Sequence, residues 1–354
     1  MRALALAALL APGALAAAPG AADLSAQFPD AATRNQGATG GCHIFTTVSL
    51  IEAALYRRHG LHLPLSEADL FVRKVVSDPD YYDRARKAVG ADDAAAAYSF
   101  VEGGSPYEDI SFALKNGVAK AATAPWSAFA ARYDAYKKKR KSEIEAERGK
   151  VVAAAGGVEQ IKEDYAAIGR AEAAGGTDYF ASVARSNLRR IEPKIVGRHL
   201  AALASFREFL DQVEGRSPDE AEALLHGDPK RLAADRASVR TMTGPFRVRK
   251  LDFKTDCKDK GAAQKAGLLA ALDRGIPVTV AMELGGLKEW GQERAKSARH
   301  AFTITGYARD AAGAVTLKSR NSWGGDNPDV PESRFCRISR VVAVLTDKEY
   351  ARGK

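Results

Sequence analysis

The sequence predicts an α+β fold of two lobes on three observations. Helix-compatible periodicity dominates up to about residue 126, an Ala-, Lys-, Arg- and Glu-rich stretch runs on to Gly244, and strand-like alternation is confined to residues beyond 244. Helices first and strands last favour antiparallel pairing over a parallel βαβ arrangement. The expected layout is a leader over 1–21, a helical lobe over 22–126, a helical insertion over 127–244 and a β-rich lobe over 245–354.

The first residues, MRALALAALLAPGALAAAPGAA, combine Arg2 with an Ala/Leu run and small residues suited to cleavage, the pattern of a secretory signal peptide. Pro12 and Gly13 interrupt the run, and no later stretch approaches the ~20 apolar residues of a membrane span, so export without stable membrane insertion is expected.

CHIFTTVSLIEAALYRR then places Ile44, Phe45, Val48, Ile51 and Leu55 near one helical face, with Cys42 at or just before the helix start. LPLSEADLFVRKVV offers Ser66 as an N-cap, with Glu67 and Asp69 favourable in the first turn. PYEDISFALKNG reads as a short amphipathic helix ended by Gly117. Breaks at Gly156-Gly157, Gly175-Gly176 and Ser217-Pro218 divide the central stretch into several helices. Beyond it, FRVRKLDF, IPVTVAMEL, HAFTITGYA and AVTLKSRNSW read as strands, and AGLLAALDRG as a helix.

A net charge of +9 would permit binding to nucleic acid or to anionic surfaces. Between residues 131 and 240, however, 21 Lys/Arg are offset by 18 Asp/Glu, and the KKKRK run (137–141) is followed at once by Glu143, Glu145 and Glu147. That is the charge pattern of a solvated helix face, and no nucleic-acid partner is expected. No zinc-ligand spacing or phosphate-cradling glycine loop is present, so neither metal nor cofactor is expected. The three cysteines leave one thiol over if two pair, and a Cys257–Cys336 bridge would leave Cys42 free; two buried unpaired cysteines is the other reading.

A thiol at a helix N-terminus is a useful nucleophile if a base, an orienting group and oxyanion donors come with it. NQGATGGCHIF, EGGSPYEDISFALKNG, RHAFTITGY and LKSRNSWGG together resemble, in order, four motifs of the papain-like cysteine peptidases. The resemblance covers about two-thirds of the mature chain and implies that family's two-lobe fold and a peptide or protein substrate. It also implies that Cys42 attacks a carbonyl, that His300 forms an ion pair with it and later protonates the leaving amine, and that Asn321 orients the imidazole. Gln36 and the Cys42 backbone N–H would form the oxyanion hole, Trp323 would cover the His–Asn bond, and Gly103 and Gly104 would let a peptide backbone lie close.

The chain departs from the family pattern in several places. Thr39 and Val101 stand where the family has a disulfide, His43 stands where it has a tryptophan, and Arg299 precedes His300 in place of an acid or amide. Cys42 and His300 are 258 residues apart, against about 130–150 in papain-like enzymes, and the central helical stretch accounts for the excess. No long propeptide fits between the leader and Gln36, which makes the insertion a candidate for shielding or narrowing the cleft. The alternative is a catalytically silent or acyl-transferring papain-fold protein that acts through its insertion as an envelope binding module.

Overall fold

The computed structural model describes residues 20–30, 34–76, 103–136, 138–139, 142, 223–225, 227–251, 262–285, 287–288, 299–325 and 328–351. Residues 1–19 of the expected leader, Cys257, Val101 and most of the insertion lie outside these. Ala21, the last residue of that leader, is already in strand.

The described residues begin with β1 (Ala21–Asp23) and include α1 (Cys42–His59), α2 (Glu67–Phe71), α3 (Pro106–Asn116) and α4 (126–136). After the undescribed stretch come α5 (Pro229–Thr243), β2 (Arg247–Leu251), α6 (Ala262–Asp273), β3 (Val278–Glu283), β4 (Arg299–Arg309) and β5 (Val315–Arg320). A short β6 (Val330–Pro331), β7 (Ile338–Leu345) and α7 (Asp347–Ala351) close it. The strands form one antiparallel sheet in the order β2-β7-β3-β4-β5-β6, with β1 added along β4. The α+β reading and the four expected strands agree with this; β1, β6 and β7 were not anticipated.

α1 departs from its expected single apolar face, since every residue from His43 to Leu55 is buried. The cause is tertiary: α1 packs against α2 and α3 on one side and against β3, β4 and β7 on the other. Its polar residues are therefore enclosed and need partners. Thr46 finds them in the hydroxyls of Thr279 on β3 and Thr303 on β4, at 2.6 and 2.7 Å, which pins the helix to the sheet. Ser66 caps α2 as expected, its side chain accepting from the Asp69 N–H, after which the chain continues in a π turn.

The described residues at both ends of the 127–244 stretch are set in the helical core. Trp126 packs edge-on to Phe45 and Phe71, and Phe129 and Tyr133 are buried beside Phe71. α5 is clamped by Arg236, whose Nε and Nη2 reach Oδ1 of the fully buried Asp69 at 2.8 and 2.6 Å. A second core lies on the other side of the sheet, around Leu272, Val280, Phe302 and Leu317. Cys336 is disulfide-bonded and Cys42 is free.

Candidate active site

Cys42 opens α1 directly after its N-cap, Gly41, so the thiol stands where the first backbone N–H groups have no helical acceptor. α1 packs on β4, and the backbone amides of Ala301 and His43 draw the thiol's pKa down against the effect of burial. Ala301 follows His300 on β4, so the helix start and the sheet meet at this point. The threonine cluster one turn further along α1 holds that junction.

His300 is 6% exposed, and its Nε2 lies 2.6 Å from Oδ1 of Asn321. The same oxygen accepts from the Ser322 N–H at 2.7 Å, which identifies it as an acceptor on two counts. Nε2 therefore donates, and the proton of a neutral ring sits there, leaving Nδ1 as the basic nitrogen. Trp323 stacks on the imidazole at 4.3 Å between centroids and 30° between planes. Gly324 closes the turn at φ 69, and a side chain there would stand 2.8 Å from Cβ of Asn35, whose backbone bridges to Trp323.

Gln36 is buried and held at both ends of its amide. Nε2 donates to the Thr39 carbonyl, and Oε1 accepts from the Ser322 hydroxyl. An amide nitrogen carries two hydrogens, so this leaves one N–H beyond the Thr39 bond. The Gln36 backbone N–H donates to the Ser322 carbonyl at 2.8 Å, so the Gln36 and Asn321 segments are stitched together.

A charged network supports both segments, and sequence reading did not single it out. Arg34 binds Asp30, Glu52 and Glu67, while Arg320 reaches the Asp30 carbonyl and carboxylate. Burial pushes Glu52 up to about 8, against the pull of Arg34. Apart from Asp30 and Arg34, which are four positions apart, these residues are distant in sequence and follow no motif spacing, so no sequence signal links them. His43 and Asp109, whose side chains meet at 2.6 Å, were likewise not linked, although the unusual histidine after Cys42 was visible.

Burial acts on both members of the expected ion pair. It pushes the Cys42 thiol up, against the Ala301 and His43 amides, and the nearby Asp109 charge adds to the rise. It likewise pushes His300 down to about 4, against its bond to Asn321. Both shifts act against charge on the isolated groups. The two glycines differ from each other: a Cβ on Gly103 would meet nothing within 4 Å, whereas one on Gly104 would strike His43. Among the described residues no His, Cys, Asp and Glu cluster fits a metal, and no helix is long and apolar enough to cross a membrane.

No protein-family model and no curated protein sequence matches the chain. Among solved structures it is similar to PepW from Lactobacillus rhamnosis HN001, at 13% identity over 90% of this chain and 80% of that one, with a TM-score of 0.46. It is also similar to digestive procathepsin L 3 of Tenebrio molitor larval midgut, at 12% identity over 91% and 68%, TM-score 0.42. Bromelain from Ananas comosus aligns at 11% identity over 93% and 100%, TM-score 0.42. With scores below 0.5 the likeness is one of outline, and the site residues stand on their own geometry.

Proposed function

We propose that the chain is an exported, thiol-dependent peptidase of the papain-like class. The observation that carries this reading is the meeting of two separately built halves. Cys42 opens α1, which packs on β4, and His300 on β4 is oriented by Asn321 and covered by Trp323.

In this reading Cys42 Sγ attacks the peptide carbonyl carbon as Nδ1 of His300 takes the thiol proton, so the charges form during the reaction rather than before it. The carbonyl oxygen, now negative, is met by the Cys42 N–H and the remaining Gln36 Nε2 hydrogen. Collapse breaks the C–N bond and passes the proton from His300 to the leaving amine. Water then attacks the thioester, with His300 again as base, releasing the acid and restoring the thiol. The Asn321 oxygen holds the ring throughout without itself exchanging a proton.

The test is hydrolysis of a mixed-sequence peptide library by the mature protein and by Cys42→Ala, with products read by mass spectrometry. Cleavage by the wild type alone, abolished by iodoacetamide, is the expected outcome. Equal cleavage by the variant, or no cleavage by a wild-type protein whose Cys42 is freely alkylated, would sink the proposal.

A further inference from the structure

A second buried histidine lies beside the reacting pair. His43 follows Cys42 in the first turn of α1 and is 2% exposed. Its Nδ1 is 2.6 Å from Oδ2 of Asp109 in the first turn of α3. Its ring also fills the space where a side chain on Gly104 would go: a Cβ built there would stand 2.4 Å from Cε1 and 2.5 Å from Nδ1. Gly104 thus lacks a side chain to make room for this imidazole.

Asp109 and the glycine loop are mechanically one piece. The Asp109 N–H donates to the Ser105 carbonyl at 3.0 Å, and α3 starts at the very next residue, Pro106. On the sheet side, the Ser105 hydroxyl accepts from Nη1 of Arg340 on β7 at 2.9 Å. The His43 ring, carried by the same turn as the nucleophile, is bonded to this unit at Asp109 and packed on it at Gly104.

We infer that His43, held by Asp109, is a positioning residue that sets the separation between the Gly103–Gly104 wall and the Cys42 sulfur, and so decides how an extended peptide is presented to the thiol. The inference rests on the peptidase reading of this site. A peptide laid along the wall must bring one carbonyl carbon to Sγ, and a misplacement of about 1 Å can cost about 10²-fold in rate. A small electrophile that touches only the sulfur has no such requirement.

The experiment compares two Cys42-directed reagents, iodoacetamide and a tripeptidyl chloromethyl ketone, each normalised to its reaction with N-acetylcysteine and read by intact mass. The ratio of peptidyl to small-reagent rates is the readout, because a general loss of structure lowers both. His43→Ala and Asp109→Ala are expected to cut the ratio by about tenfold or more while the iodoacetamide rate stays within about threefold. Asp109→Asn keeps an oxygen that accepts from the ring, and is expected to recover most of what Asp109→Ala loses. Should His43→Ala not fold, Gly104→Ala drives a methyl group into the same ring and must lower the ratio likewise.

An unchanged ratio in His43→Ala and Gly104→Ala overturns the inference. So does an equal loss with both reagents, which would tie His43 to the thiol itself. A wild-type ratio no higher than that of N-acetylcysteine removes the peptide cleft on which both readings depend. A clear wild-type preference that the variants retain sinks the His43 assignment alone.

Discussion

The two buried histidines flanking Cys42 are built alike and used differently. Each has a ring nitrogen 2.6 Å from a side-chain oxygen supplied by another segment. For His300 that oxygen belongs to a neutral amide, and the ring face is covered by Trp323. For His43 it belongs to a carboxylate, and the ring is pressed against a glycine. An amide orients an imidazole without adding charge, which suits a ring that must accept and return a proton within one turnover. A ring that fills the space beside a glycine suits a part that must stay where it is. Placement beside a nucleophile therefore does not make a base: the packing around each ring separates the two uses.

The contrast is tested hardest at His300. His300→Ala is expected to lower kcat/KM on peptides by about 10²- to 10⁴-fold, the usual worth of a general acid–base group, and steady-state hydrolysis measures it. An effect no larger than that of His43→Ala would erase the distinction. Gln36→Ala comes next, at about 10²- to 10³-fold in kcat with little change in KM, because an oxyanion donor acts chiefly in the transition state.

Stability against pH tests the burial of the His300 ring in a different way. His300 titrates at about 4 in the fold against an ordinary value of 6.5, so the unfolded chain takes up the proton first as pH falls. The stabilisation from keeping this ring neutral is complete above pH 6.5 and is lost towards pH 4, about 3 kcal/mol in all. Urea unfolding at pH 7 and at about pH 4.5 should show this loss in the wild type and less of it in His300→Phe. The smallest expected effect is at Asp109. Burial is the main reason the Cys42 thiol is raised, with the Asp109 charge a lesser one, so Asp109→Asn should move the alkylation midpoint of Cys42 slightly towards lower pH. A midpoint that rises instead would mean that Asp109 does not act on the thiol through its charge.

Much of the site was legible because its parts are local. Cys42 before an apolar helix, the Asn-Ser-Trp-Gly run at 321–324 and the paired glycines are short stretches whose residue types announce close approach or a turn. The strands β2 to β5 were legible for the same reason, since alternation is a property of a few neighbouring residues. β7 was missed although it is rich in valine, because its run ISRVVAVL carries arginine early and no turn signal of the expected kind. The full burial of α1 was missed because periodicity reports one apolar face, and the second face of this helix is covered by Thr–Thr and Glu–Arg bonds to distant segments.

Residue order alone was enough for the α+β succession of elements and for the thiol at a helix start. Tertiary packing was needed for the rest: that Asn321 accepts from His300, that Arg34 and Arg320 share Asp30, that His43 fills the space under Gly104, and that burial shifts thiol and imidazole towards their neutral forms. The reason is physical. Motif and periodicity are written in neighbouring residues, whereas desolvation and long-range hydrogen bonds depend on which segments, 21 to 286 residues apart, enclose the same few ångströms.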